Sequence, residues 1–330
     1  MEQARMNQHT EILLRVEAVS KTETGNQVLE PISFQLAPQK KLAIVGETGS
    51  GKSTLLRIIA GHIAPDSGSI LFKNKRVWSP PVTLLPGHPG IAYLSQDFEL
   101  RNNYKVHELL NYKNLLSPES AARLYHVCQV DHLMNRKNDE LSGGERQRIA
   151  LAKLLVGVPE LLLLDEPFSN LDLPQKKNIN AVLHAISNQL KITCIMVSHD
   201  PVDTLSWADE IMVLKNGRLI QYDVPQHIYQ YPADEYVAGL FGPYSLLKGE
   251  YHPFKTKWRL TDKNPFLFIR PEQLSFTDSH EHAVDCVVTQ SLFCGAYWSV
   301  TVSNGDQSLV IHTHQSGIQK GDLVWVSYKN

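Results

Sequence analysis

Apolar and polar residues alternate through three early stretches: "ILLRVEAVS" from Ile12, "QVLEPISFQLA" from Gln27 and "KLAIVGE" from Lys41. A period of two predicts β-strands, and "TETGN" between the first two supplies a turn. The spacing changes at "KSTLLRIIAGH", where Leu55, Ile58 and Ile59 fall on one side of a helix and Gly61 is a stop signal. Further strands are predicted at "SGSILFKN" and at "GIAYLSQ", the latter ended by Gln96. From Arg101 to Glu140 the pattern is helical and more polar. "LSGGERQRIALAKLLVGVP" reads as a loop feeding a helix that starts near Glu145 and that Pro159 closes. "ELLLLDEP" and "ITCIMVSHD" are continuous apolar runs, as expected of strands buried on both faces of a parallel sheet. Strands alternating with helices predict an α/β sheet with crossover helices. Asn216-Gly217 between two apolar segments predicts a hairpin.

The texture changes after about Leu240. "FGPYSLLKGEYHPFKTKWRL" reads as a linker and an entry strand. Beyond it, "PFLFIRPEQLSF", "AVDCVVTQSLFCGAYWSVTVS", "SLVIHTH" and "DLVWVSYKN" are short strands separated by glycine-containing turns. They predict a small all-β barrel or sandwich. The expected organisation is therefore an α/β domain over 1–242, with a helical subdomain at about 100–155, and an all-β domain over 243–330.

With 330 residues, 42% of them hydrophobic and 20% charged, the chain is expected to fold as two domains. A net charge of −2 carries no basic excess, so no nucleic-acid partner is expected. The four cysteines form no C-x-x-C pair and read as small buried thiols in a reducing compartment. His312 and His314 share one face of a predicted strand, but without a third ligand they read as surface histidines. The N-terminal stretch has no apolar signal core, and nothing approaches the roughly 18 apolar residues of a membrane span. A cytoplasmic chain is expected, carried to any membrane by another protein.

Candidate chemistry begins at "GETGSGKST", Gly46 to Thr54, directly behind an apolar strand and opening a helix. It fits G-x-x-x-x-G-K-[ST] with Gly46, Gly51, Lys52 and Ser53. Glycines let successive N–H groups converge on one anion, the helix N-terminus adds positive potential, Lys52 can reach β- and γ-phosphates, and Ser53 can ligate Mg²⁺. Asp165 ends the run "LLLLDEP" and can support the metal; Glu166 is a candidate to deprotonate attacking water.

Gln96, "LSGGE" (Leu141 to Glu145), "SNLD" (Ser169 to Asp172) and His199 complete an ordered set. In this order and at these spacings, over about Ile12 to Leu240, the chain resembles the nucleotide-binding subunits of ATP-binding-cassette (ABC) transporters. The resemblance implies a P-loop ATPase that binds ATP and Mg²⁺. The loop residues Gly46, Glu47, Thr48, Gly49, Ser50, Gly51, Lys52, Ser53 and Thr54 would hold the triphosphate. Ser53, Gln96 and Asp165 would serve the metal, Glu166 would be the base, and His199 would contact the γ-phosphate. Ser142, Gly143 and Gly144 would serve the ATP held by a second copy, with Asp172 in the loop between copies. One departure stands out: the family's adenine-stacking aromatic is absent from "KTETGNQV", where Glu23 occupies its place.

"FIRPEQL", "FCGAYWSVTV" and "KGDLVWVSY" resemble the transport-associated OB-like domain of importer ATPases. That implies integral membrane permease subunits, a solute-binding protein and a peripheral position on the cytoplasmic face of the inner membrane. Phe98, Leu100 and Tyr104 are the candidate contacts with the membrane partner. Two rival readings are a cytosolic ABC ATPase acting on nucleic acid or ribosomes, and a small-molecule kinase. The first calls for two cassettes or a coiled-coil insert; the second leaves "LSGGE" and His199 unexplained.

Overall fold

The computed structural model describes residues 11–80, 82–83, 86–97, 100–169, 171–248, 253–258 and 266–329. Two compact units divide the chain, Met1–Pro225 and Gln226–Asn330.

In chain order the first unit runs β1 (Leu14–Glu23), β2 (Asn26–Leu36), β3 (Lys41–Val45), α1 (Lys52–Ile59), β4 (Ser67–Phe72), β5 (Lys75–Arg76) and β6 (Ile91–Leu94). It continues through α2 (Val106–Asn111), α3 (Pro118–Val127), α4 (Gly143–Leu155), β7 (Leu161–Asp165), α5 (Leu173–Leu190), β8 (Thr193–Ser198), α6 (Pro201–Leu205), β9 (Glu210–Lys215) and β10 (Arg218–Asp223). A six-stranded sheet has the order β10-β9-β3-β8-β7-β6, and a four-stranded antiparallel sheet the order β2-β1-β4-β5. The large sheet is parallel from β9 to β6; β10 alone runs against its neighbour, through the hairpin at Asn216 (φ 49°) and Gly217 (φ 77°). Every residue of β7 and β8 is buried, as their unbroken apolar runs require in a sheet covered on both faces.

Helix α4 begins at Gly143, two residues before the expected start. The Ser142 hydroxyl accepts from Glu145 N at 3.3 Å while the Glu145 carboxylate accepts from Ser142 N at 2.8 Å. This reciprocal cap satisfies two free N–H groups and nucleates the helix at the glycines. Its end also precedes Pro159: the last helical residue is Leu155, and Val158, next to the proline, sits at φ 54°. The residue before a proline is disfavoured in the helical region, in keeping with a helix that has ended before Val158. The segment 101–140 is only partly helical, α2 and α3 being followed by two short 3-10 turns at Asp131–Leu133 and Asn138–Glu140.

The second unit takes in α7 (Pro225–Gln230), α8 (Glu235–Leu240), β11 (Ser245–Lys248), α9 (Pro253–Lys257), β12 (Phe266–Ile269), β13 (Leu274–Phe276), β14 (Val284–Phe293), β15 (Trp298–Asn304), β16 (Gln307–Thr313) and β17 (Leu323–Tyr328). Strands β11 and β12 pair, and the other five form an antiparallel sheet of order β13-β17-β14-β15-β16. Strand β16 returns against β13, so the sheet curls into a nearly closed barrel around Leu247, Phe254, Val288, Val300, Val302, Leu309, Ile311 and Val326. His312, on β16, packs its ring on Tyr297 at 4.1 Å.

Arg270 ties this unit together. It is 2% exposed and donates to the carbonyls of Tyr229 (3.0 Å), Ala238 (3.0 Å), Gly242 (3.1 Å) and Pro243 (3.2 Å), with its guanidinium 4.2 Å from the Tyr229 ring centre. Three of these carbonyls lie at and beyond the end of α8, where helix carbonyls lack partners. Burial pulls the guanidinium below its ordinary pKa, offset by the Tyr229 and Glu272 side chains. Arg270→Ala should destabilise this unit by about 3 kcal/mol, since it strands the buried Ala238 carbonyl and three part-buried carbonyls at once. Denaturant unfolding followed by the fluorescence of Trp258, Trp298 and Trp325, with Trp78 and Trp207 replaced by Phe, should show an earlier transition.

Candidate functional site

Parallel pairing decides where the chemistry gathers. Val45 pairs with Ser198, Asp165 with Val197 and Leu94 with Leu164. The residues that follow each strand (Gly46, His199, Glu166 and Gln96) therefore leave from one edge, the carboxyl edge where open α/β sheets bind ligands.

The loop from Gly46 to Gly51 joins β3 to α1. An added Cβ at Gly46 would lie 2.2 Å from Leu214 O, and one at Gly51 would lie 2.6 Å from Leu29 Cδ2 and 2.7 Å from Val28 O. Only glycine admits that approach; Gly51, at φ 94°, is also the N-cap of α1. At Gly49 (φ 83°) a Cβ would meet no described atom within 4 Å, so the loop is packed on its inner side and open on its outer side. Lys52, 5% exposed, folds back into this loop, donating to Gly46 O and Glu47 O at 2.7 Å each and to Ser50 Oγ at 3.4 Å. Burial lowers its pKa, and the Glu166, Asp165 and Glu47 carboxylates counter that shift. The two loop carbonyls and the Ser50 hydroxyl thus satisfy the buried ammonium.

Asp165, 6% exposed, accepts from Ser53 Oγ at 2.8 Å through Oδ1 and from Tyr93 OH at 2.8 Å through Oδ2. Glu166 departs from the strand by adopting φ 49°, fixed by its N–H donating to Val197 O at 3.0 Å. A left-handed non-glycine residue costs about 1–3 kcal/mol, a strain found where side-chain direction matters. The turn directs the Glu166 carboxylate to His199, whose Nδ1 lies 3.1 Å from Oε2; Ser169 Oγ donates to the same oxygen at 2.8 Å.

Gln96 is exposed and sits two residues beyond β6 instead of ending it, because β6 stops with the register of β7. Ser142 is the N-cap of α4, and Gly143 and Gly144 are its first residues. A Cβ on Gly143 would meet no described atom within 4 Å, while one on Gly144 would lie 3.6 Å from Gln175 Cγ. Asp172 caps α5, accepting from Gln175 N at 2.8 Å. Glu47, Thr48 and Ser53 are exposed, Thr54 half-buried and Ser50 buried in the loop. Glu23 is exposed at the tip of the β1–β2 hairpin, where it pairs with Asn26. Of the candidate partner contacts, Tyr104 is exposed, Phe98 lies outside the described residues, and Leu100 is buried with its carbonyl taken by Asn138 Nδ2 at 3.1 Å. Leu100 is therefore part of the core.

Ser53 and Asp165 are hard oxygen donors that meet at one point, as Mg²⁺ prefers. Among the described residues no group of three His, Cys, Asp or Glu side chains is placed to hold a metal ion. Two participants, Tyr93 and Gln147, and one contact, that of Ser169 with Glu166, escaped the sequence reading. Tyr93 was legible in principle, since a tyrosine in a buried strand needs a partner for its hydroxyl. Ser169 Oγ on Glu166 and the Gln147 amide on Pro167 O, at 2.5 Å, arise from chain folding that spacing does not encode.

Residues 29–169 match the ABC transporter family, and residues 267–329 match the TOBE domain. The sn-glycerol-3-phosphate import ATP-binding protein UgpC of Salmonella choleraesuis is 30% identical over 95% of this chain and 94% of its own length. The Fe(3+) ions import ATP-binding protein FbpC 2 of Rhodococcus jostii is 33% identical over 80% of each chain. Among solved structures, cbiO1 from Clostridium perfringens, part of the ABC transporter complex cbiONQ, superposes with a TM-score of 0.60 at 28% identity, over 66% of this chain and 90% of its own. These likenesses agree with the glycine loop, the capped serine-glycine-glycine corner and the barrel on one assignment: the chain belongs to the ABC transporter family, as an ATP-binding subunit of the importer type.

Proposed function

We propose that two copies of this chain close around two ATP–Mg²⁺ and so energise solute uptake through separate integral membrane permease subunits. A solute-binding protein delivers the cargo, and the chain works as a peripheral subunit on the cytoplasmic face of the inner membrane. Nucleotide is handled by 1–242, and 243–330 forms the appended barrel. The observation that carries the reading is the meeting of Lys52 and Ser53 with Asp165, Glu166 and His199 at one sheet edge. The Ser142 hydroxyl meanwhile bonds Glu145 of its own helix, and Gly143 stays open.

In this reading Lys52 exchanges the Gly46 and Glu47 carbonyls for phosphate oxygens. Ser53 and Asp165 would hold Mg²⁺, which would supply charge neutralisation to the phosphates. Gln96 aligns the water. Glu166 takes the water's proton as the oxygen attacks the γ-phosphorus, and the bond to ADP breaks with its electron pair leaving on ADP. His199 holds the γ-phosphoryl oxygens and is oriented by Glu166. The corner of the second copy closes the site; its glycines let backbone N–H groups approach, and the positive end of α4 faces the phosphate. Phosphoryl transfer gains most from such positioning and charge stabilisation. The relatives named above import chemically different solutes, which fits an ATPase that supplies force while other subunits choose the cargo.

Gly143→Ala separates this role from folding. The added methyl has room within the chain and favours a helix, so the melting temperature should hold or rise. Hydrolysis should fall about 100-fold, the expected consequence of holding the partner's phosphate about 1 Å too far away. An unchanged turnover in a steady-state ATPase assay would remove the corner from the site.

A further inference from the structure

Asp165 has two oxygens, and the structure gives each a different donor: Ser53 Oγ holds Oδ1 at 2.8 Å and Tyr93 OH holds Oδ2 at 2.8 Å. Tyr93 reaches Asp165 because β6 and β7 run parallel with Tyr93 opposite Leu163, and Asp165, two residues on, shares the face of Leu163. The Tyr93 ring is itself held: the His62 imidazole meets it edge-on, with ring centres 4.9 Å apart, at the end of the turn that follows α1. Ser53 belongs to α1 and His62 follows it, so one helix supports both donors on the carboxylate.

We propose that Tyr93 is a positioning residue for the metal: by holding Oδ2 it fixes the rotation of the Asp165 carboxylate and leaves Oδ1, beside Ser53, as the oxygen turned to Mg²⁺. The inference rests on the reading of Asp165 as metal support. A carboxylate at the end of a buried strand can rotate about its last bond unless its outer oxygen is bound, and outer hydrogen bonds of this kind set how well a ligand serves its metal. A tyrosine hydroxyl keeps its proton throughout the neutral range and so remains a donor to Oδ2. The ring edge and the hydroxyl are separable: phenylalanine keeps the contact with His62 and loses only the bond to Oδ2.

The test uses the full chain and mant-ADP, a fluorescent nucleotide that is not hydrolysed. Its affinity is measured in EDTA and again in excess Mg²⁺, and the ratio gives the gain in binding due to metal. Tyr93→Phe should leave the EDTA affinity unchanged and cut the metal-dependent gain about tenfold. Asp165→Asn should cut the gain at least as much. A Phe variant whose gain stays within about twofold of the parent, while Asp165→Asn loses it, overturns the role of Tyr93 alone. If Asp165→Asn also keeps the gain, the metal reading fails with it. Equal weakening with and without metal would make Tyr93 a support of the loop or fold and would equally overturn the proposal. Should Tyr93→Phe not fold, Tyr93→Met, which also lacks the hydroxyl, is read by the same ratio.

Discussion

Glu166→Gln lowers ATP turnover by about 10³-fold or more while the chain still takes up nucleotide. The expectation follows from what the substitution changes. Gln keeps the shape and can still accept from Ser169 Oγ and meet His199 through its amide oxygen, so the bonds at 2.8 Å and 3.1 Å survive. What disappears is the ability to take a proton from water. The strained backbone at φ 49° is also untouched, because the N–H donated to Val197 O belongs to the main chain. Loss of hydrolysis with retained binding, measured by phosphate release and mant-ATP titration, separates a base from a binding residue. Turnover near that of the parent would move the proton-accepting role elsewhere at this edge.

Lys52→Ala acts on the other side of the reaction, at binding. The ammonium is buried and satisfied by Gly46 O and Glu47 O, and it faces the carboxylates of Asp165 and Glu166. Its removal takes the phosphate-binding cation away and leaves those carboxylates to repel the incoming polyanion. Truncating one member of a desolvated charged pair costs about 2–5 kcal/mol, so nucleotide affinity should fall by at least about 30-fold. Isothermal titration with ATP–Mg²⁺ checks this. Lys52→Met, which restores most of the side-chain volume, should bind as poorly as the alanine variant. Recovery of affinity in the methionine variant would mean that Lys52 serves to fill the loop and does not grip phosphate.

The parts of this site that were legible in the sequence are those fixed by local rules. A loop rich in glycine between an apolar strand and a helix, a fully apolar run ending in Asp165, and an Asn-Gly pair between strands each have one good backbone solution, and each appears as read. The parts that were not legible depend on where elements stop and on who meets whom. Gln96 lies past β6 because pairing with β7 stops at Leu94–Leu164, a length that the apolar run "IAYLS" does not reveal. Helix α4 starts at the glycines because the Ser142–Glu145 cap outweighs their low helix propensity. Leu100 looked like a surface contact by position, yet its apolar side chain is buried. Tyr93 on Asp165 and Ser169 on Glu166 join residues 72 and 3 positions apart, and only the first required the sheet to be assembled. In the all-β part the strands were visible, whereas the role of Arg270 in binding the carbonyls of a preceding helix end was not.

Hydrolysis as proposed requires that a cradle in one molecule be finished by another. The most direct test is the mass in solution of the Glu166→Gln chain, by light scattering, without nucleotide and then with saturating ATP–Mg²⁺. The account predicts a single chain in the first condition and a pair in the second, with the pair lost when Gly143→Ala is added. A chain that binds ATP fully and keeps the mass of one molecule would contradict it.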